Sequence, residues 1–282
     1  AMEPSKSLVE RLGYDADARL LIINCDDVGS SHAANLACHE AMTAGVATSG
    51  TLMVPCAWAR EAVDMFAGLD LGVHLTLTAE YPGYRWRSLT GGRSLHDSDG
   101  FMPSTAAAVF ARAQIDEVRA ECRAQIEQAL AWGVDITHLD SHMGANQIDS
   151  RFLEVYVQLA QEYDLPLRML GPDLEAMLGV SGRAMAAAAG LVCNDEFVSQ
   201  WGRPTGELLR TALPELAAGV AEANVHPVLD GPELRGYDKK EPLIRIDDHA
   251  VVMDPATRGF LDDQGFRMIS FRPLRDLQRA GS

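Results

Sequence analysis

The 282-residue chain has little that would staple it, anchor it or draw it to a polyanion. Its five cysteines, Cys25, Cys38, Cys56, Cys122 and Cys193, are odd in number and form no CxxC pair. That pattern argues against a disulfide framework or a structural zinc knot and for a reducing, cytoplasmic setting. No apolar run approaches the length of a membrane span. The N-terminal AMEPSKSLVE lacks the charged-then-apolar pattern of a secretory signal, and Ala1 ahead of Met2 reads as a cloning remnant. Basic residues are scarce, 24 Lys+Arg against 40 Asp+Glu, for a formal charge of −16. So acidic a surface repels phosphate backbones and anionic lipid, which removes nucleic acid and membranes from the expected partners and leaves small neutral sugars and cations. There is no internal repeat, no low-complexity segment beyond the Ala run in GRAMAAAAG (182–190), and no linker that would divide the chain. Residues 1–282 therefore read as one domain, with 1–15 expected to be a flexible leading segment. A homodimer is compatible with all of this.

What is present is apolar and periodic. Hydrophobic residues make up 47 %, enough for a substantial core. Strands are expected at 19–24, 46–54, 71–77, 135–140, 165–170, 224–228 and 267–271. Helices are expected at 32–44, 56–67, 113–133, 149–163, 205–222 and 254–264. The helix at 113–133 is the clearest, with Ile115, Val118, Cys122, Ile126 and Leu130 on one stripe and Gly133 as its stop. Strand–helix alternation of this kind means a mostly parallel sheet with outer helices, either a barrel or an open doubly wound sheet. Two stretches, 79–105 and 229–247, are rich in Gly, Pro and polar residues and read as irregular loops, which in compact domains commonly border a site.

Four segments could carry chemistry. INCDDVG (23–29) ends a strand in two adjacent carboxylates, which repel unless a cation or a proton relieves them. Asp27 could equally cap a helix beginning near Ser30. On a regular strand Asp26 and Asp27 point to opposite faces, so both reach one site only if the strand breaks, for which Gly29 offers the turn. GVHLTLT (72–78) sets His74 inside an apolar strand, where alone it reads more readily as a satisfied core histidine than as a ligand. In THLDSHMG (137–144), His138, Asp140 and His142 share a face if the extended geometry persists. Two imidazoles and a carboxylate there are costly to bury without a metal or a dense hydrogen-bond network. In NVHPV (224–228), His226 sits at a strand end before a proline, where in isolation it reads as a structural residue of a tight turn. Arg168 in LPLRML either snorkels outwards or pairs with a buried carboxylate. In combination, Asp and His recur near the C-terminal ends of several strands, where parallel α/β folds build their sites. One carboxylate with two imidazoles suits Zn²⁺ and other divalent ions.

The segments LIINCDDVGSSHAANLACHEAMTAGVATSGTLMVP (21–55), LGVHLTLT (71–78), ITHLDSHMG (136–144), the late HP (226–227) and GFRMISFRPL (265–274) together resemble the YdjC-like, ChbG-type carbohydrate deacetylases. The resemblance implies a deformed (β/α) barrel of about seven parallel strands, related to the polysaccharide deacetylases. It also implies one divalent ion, zinc or magnesium, and removal of N-acetyl groups from amino-sugar or oligosaccharide substrates. Carried over by motif, Asp27, His74 and His142 are the metal ligands, Asp26 the general base and His226 the general acid. Arg168 is expected to orient Asp26 or to touch substrate, and Tyr84 and Trp86 in the first long loop to stack on a sugar face. Many relatives carry a further His two residues after the DSH; here that position is Gly144. Two rival readings stand beside this one: a metal-dependent hydrolase of a non-sugar amide, ester or phosphate ester, and a non-catalytic sugar-binding protein on the same scaffold.

Overall fold

The computed structural model describes residues 5–281. At its centre lie seven strands: β1 (Arg19–Val28), β2 (Ser49–Leu52), β3 (Leu71–Leu75), β4 (Ile136–Ser141), β5 (Glu196–Val198), β6 (Gly219–Val225) and β7 (Phe266–Met268). All pairings are parallel, in the order β4-β3-β2-β1-β6-β5. On one side β1 exchanges partners along its length, bonding β7 through Arg19–Leu21 and β2 through Asn24–Val28. Between β4 and β5 the ring is carried by single bridges, Leu167 pairing in parallel with Leu139 and with Cys193. The sheet thus curls into the expected deformed barrel with helices outside, all five thiols free. Among the described residues no helix is long and apolar enough to cross a membrane.

Strands β1 to β4 are buried on both faces, which is why they read as largely apolar runs. From Leu20 onward every residue of β1 is buried. Helix Ile115–Ala131 turns Val118, Cys122, Ile126 and Ala129 inwards. Its last inward position is Ala129 rather than Leu130, which is 46 % exposed, because a 3.6-residue period after two steps of four takes a step of three. Gly133 ends the helical stretch at φ +86°, as its position predicts.

Departures from the expected elements have local causes. LPLRML yields a bridge at Leu167 rather than a strand, because Pro166 has no N–H and only its carbonyl joins the sheet, accepting from Leu139 N at 3.1 Å. The helix expected over 205–222 stops at Ala212. Pro214 then lies in a 3₁₀ turn, Leu213–Glu215, and β6 begins at Gly219. The stretch 229–247 is not simply irregular. It holds helix Pro232–Tyr237 and the first turns of helix Pro242–Met253, each opened by a proline at its N-terminus. Of the segment expected to be flexible, residues 1–4 lie outside the described residues. Leu8–Arg11 is a helix held by a reciprocal Ser7–Glu10 capping box, with Val9 packed against Leu20 and Ile22.

Gly72 on β3 lies tight against β4, where an added Cβ would lie 2.5 Å from the His138 carbonyl oxygen and 2.6 Å from its Nδ1. Gly72→Ala should therefore destabilise the fold by about 1–3 kcal/mol, the usual cost of overpacking. The check is a denaturant midpoint that falls at unchanged slope; an unmoved midpoint would contradict the close approach.

Candidate active site

The site is built on the end of β1. The register against β2 shifts between Cys25 and Val28, and Asp27 sits in the left-handed region at φ +63°. This bulge, and not Gly29 alone, lets two adjacent carboxylates serve one site. Gly29 follows at φ +90°, where a Cβ would meet Ala59 Cα at 2.9 Å. Helix His32–Thr43 is capped by Ser31, whose hydroxyl accepts from Ala34 N. The Asp27 side chain is thus released from the capping role.

Asp27 faces two imidazoles. Its Oδ1 lies 3.3 Å from His74 Nε2 and 3.1 Å from His142 Nδ1. All three side chains are buried, and their ligating atoms fall within 4.8 Å of one another. Each ring places its other nitrogen on a carboxylate: His74 Nδ1 on Asp140 Oδ1 at 2.5 Å, His142 Nε2 on Glu80 Oε2 at 2.9 Å. In the neutral tautomers those outer nitrogens carry the protons, so both inner nitrogens present lone pairs towards Asp27. Asp27 Oδ1 itself has no hydrogen-bond donor although it is buried. Three acceptors converging on one dry point fit a divalent cation, and nothing less than a positive charge relieves them. The titration behaviour shows how strongly this pocket favours positive charge, supplied either by protons on the imidazoles or, in their neutral tautomers, by a cation. Burial pulls the His74 pKa down, yet Asp140, Asp27 and Asp26 hold it up at about 10. Burial opposes charge on His142 as well, and Glu80 and Asp27 raise it to about 9. Desolvation works against ionised Asp27, but His142, His74 and Arg245 keep it well below the ordinary carboxylate range.

Asp26 occupies the other side of the bulge. Arg168 clamps it with Nη2 on Oδ1 at 2.6 Å and Nη1 on Oδ2 at 2.8 Å. Asn24 Nδ2 adds a bond to Oδ1 at 2.8 Å and Asn224 Nδ2 one to Oδ2 at 3.0 Å. Burial disfavours the charge, but Arg168 lowers the pKa and keeps the carboxylate ionised. The same guanidinium reaches Asp140 at 3.1 Å and Glu222 at 2.7 Å. Burial pushes the Glu222 carboxyl up to about 7 against the pull of Arg168, and its Oε2 has no partner. A second converging group, Asp26, His74 and Asp140, already has Arg168 as its cation. His226 Nε2 stands 3.7 Å from Asp26 Oδ2. Its backbone N donates to Asp248 Oδ2 at 2.7 Å, which also lies 3.6 Å from its Nδ1.

The site opens onto a cavity of about 650 Å³. Both long loops border it, the first through Glu80, Tyr81 and Pro82, the second through Tyr237–Glu241 and Arg245. Asp26, Asp27, His74, His142, Arg168 and His226 all line it, whereas Tyr84 and Trp86 do not. Tyr84 donates to Ser30 O and Trp86 Nε1 to Thr78 O, and both rings pack behind Tyr81. His138 is also apart, stacked on Phe271 at 3.7 Å with its pKa pushed down to about 4, burial being the main cause. Residues that the sequence reading did not place in the site are Glu80, Trp201, Arg245 and Asp248. Glu80 had a signal in its position five residues past β3. Arg245 and Asp248 lie on a helix inside and just past the stretch read as irregular.

Fold and site together define a β/α-barrel protein with an Asp–His–His cluster at the C-terminal ends of its strands. The chain belongs to the YdjC-like protein family, whose model matches residues 20–263. A carbohydrate deacetylase of Thermus thermophilus is 36 % identical over 95 % of this chain and 98 % of its own length. One from Thermoanaerobacter pseudethanolicus is 29 % identical over 91 % of this chain and 100 % of its own length. A crystal structure of an Enterococcus faecalis protein, provisionally assigned to cellobiose-phosphate cleavage, shares the fold at a TM-score of 0.78 and 24 % identity, over 91 % of this chain and 99 % of that one.

Two outcomes follow from the geometry. His74→Ala and His142→Ala should each abolish retention of a divalent ion by the purified protein, read by elemental analysis; full occupancy in either variant would refute the ligand assignment. Glu222, neutral in the fold up to about pH 7 but ionised in the unfolded chain above about 4.5, makes the unfolded state bind fewer protons across that window, so its contribution to stability falls as pH rises. Glu222→Gln should lack this slope and gain on the wild type by on the order of a few kcal/mol between pH 4.5 and 7. A constant difference across the window would show that Glu222 is ionised throughout.

Proposed function

We propose that this protein is a metal-dependent deacetylase that hydrolyses the N-acetyl group of amino-sugar or oligosaccharide substrates. The observation that carries this reading is the donorless, buried Asp27 Oδ1 facing His74 Nε2 and His142 Nδ1, next to a second carboxylate and a histidine that a mere binding site does not need. The carbohydrate deacetylases that match over nearly the whole chain support the same substrate class. Asp27, His74 and His142 would hold a divalent cation, zinc or magnesium, which supplies Lewis acidity towards water and an acyl oxygen.

The chain's own residues handle the protons. Amide hydrolysis takes one proton from water and delivers one to the departing nitrogen, because an amine leaves poorly unless protonated. Asp26 is the group that receives the first. Four donors hold its carboxylate, so it is a fixed but weak base that does not keep the proton. His226, 3.7 Å away, is the group that gives a proton to the nitrogen, and its nearness to Asp26 makes a short route between the two. Arg168 acts by positioning Asp26 and keeping it ionised, not by reaching for the substrate. Asp248 positions His226, accepting from its backbone N and lying 3.6 Å from its Nδ1. Tyr81 and Tyr237, at 4.8 Å from each other, form the firm side of the cavity, with Tyr84 and Trp86 behind them.

The test separates base from ligand. Asp26→Asn should leave metal content largely intact and lower kcat by about 10²–10⁴-fold, the usual contribution of a positioned base. Asp27→Asn should lose metal and activity together. Assays of the hydrolysis of N-acetyl sugars and aryl acetates, read by acetate release, and of aryl phosphates, read by phosphate release, complete the test. Full activity in Asp26→Asn would give the proton to another group, and turnover of esters or phosphates alone would remove the sugar amide as substrate.

A further inference from the structure

A single exposed aromatic is ordinary on a protein surface, but one held in a fixed pose at the wall of a cavity offers an apolar face to whatever binds there. Among the described residues the exposed tryptophans are Trp58 at 39 % and Trp201 at 47 %, and of these Trp201 lines the active-site cavity. It stands in the turn that follows β5, where Gly202 has φ +87°. Its indole is fixed rather than loose. Nε1 donates to Glu241 Oε2 at 3.0 Å, the Arg245 guanidinium lies 5.3 Å from the ring centroid, and the ring meets His226 edge-on at 5.0 Å and 90°. Three contacts therefore hold an exposed apolar plate against the proposed proton donor and against the arginine that bonds Asp27.

We infer that Trp201 is the specificity-determining platform on which the pyranose ring of the substrate stacks, with its N-acetyl group directed to the floor formed by Asp26 and Asp27. The inference rests on the deacetylase reading above. A pyranose offers a patch of C–H groups on one face and hydroxyls around its rim. An aromatic plate whose polar N–H is already satisfied matches that apolar face, while the carboxylates and lysines around the mouth remain for the hydroxyls. The other aromatic rings around the cavity cannot do this as well. Tyr81 and Tyr237 are 6 % and 8 % exposed and are engaged with each other and with Tyr84. Phe197 carries Arg168 over its ring at 4.8 Å.

The test compares metal-loaded wild type, Trp201→Ala and Trp201→Phe on N-acetylglucosamine and on N-acetylethanolamine, an acetamide without a ring. Trp201→Ala should raise KM for the sugar and lower the sugar-over-acyclic ratio of kcat/KM by about tenfold, the size of one lost stacking contact. Trp201→Phe should restore most of that ratio, since it keeps a flat apolar face without the hydrogen bond to Glu241. If Trp201→Ala lowers both substrates equally through kcat, the indole merely packs His226 and the platform is refuted. Sugar turnover unchanged in Trp201→Ala refutes it as well. If the wild type hydrolyses the acyclic amide and no sugar, the sugar half of the deacetylase reading falls and the platform with it; if it hydrolyses neither, deacetylation itself falls.

Discussion

Two neighbouring carboxylates buried at the end of one strand are the constraint around which this molecule is organised. In water Asp26 and Asp27 would cost little. At 3 % exposure each they repel in a medium that screens poorly, and both have lost their hydration. The structure brings them to one site and neutralises them individually. The positive φ at Asp27 turns its side chain round to the cavity that Asp26 also lines, and each meets its own buried arginine, Arg168 for Asp26 and Arg245 for Asp27. Removing either arginine would strand a buried anion, the kind of loss that costs about 3–5 kcal/mol.

The two arginines do different things because they arrive with different geometry. Arg168 comes from inside the ring, at the bridge that joins β4 to the segment after it, and uses both ends of its fork on Asp26. Such a bidentate pair fixes orientation as well as charge. Arg245 comes from an outer helix and makes a single bond at 2.8 Å to Asp27 Oδ2, which leaves Oδ1 to the histidines. The neutralisation of Asp27 is therefore deliberately incomplete in space: one oxygen is satisfied and the other points at lone pairs. Asp140 and Glu80 complete the arrangement by fixing which nitrogen of each imidazole carries its proton. Asp140 also touches Arg168, so the proton-handling side and the ligand side of the site share one cation.

What could be read in the chain follows from where each signal is stored. β1, β3 and β4 announce themselves because strands buried on both faces must be apolar, and a charge or imidazole at their ends is then conspicuous. Asp26, Asp27, His74 and His142 were legible for that reason, and the parallel sheet with them, while its closure into a barrel followed only from the family resemblance. The bulge was anticipated as a need but placed at Gly29, since an aspartate at φ +63° leaves no mark in sequence that distinguishes it from any other aspartate. Arg245 and Asp248 were missed because Pro242 and the polar residues before it read as a break; the proline instead starts the helix that carries them. Tyr84 and Trp86 were expected in the cavity on composition alone. Which aromatic of a loop faces in is decided by packing, and Trp86 at 5 % exposure found its hydrogen-bond partner in the core.

The same logic explains why the site can be both strained and stable. A buried oxygen without a donor costs about 1–3 kcal/mol, and Asp27 Oδ1 and Glu222 Oε2 are both of this kind. Residues held in the left-handed region add to that cost, and the cavity floor contains two, Asp27 at φ +63° and Met143 at φ +54°. The Asp27 end of β1 is held in place by the buried network in which Asn24, Thr51 and Asp140 bond one another across β1, β2 and β4. A cation that binds the folded chain and not the unfolded one would return part of that cost as stability. The arrangement that makes the site ready for a cation is thus the same one that makes the fold depend on where its charges sit. An overall charge of −16 adds a long-range field that favours the arrival of a cation and of neutral substrates over anionic ones.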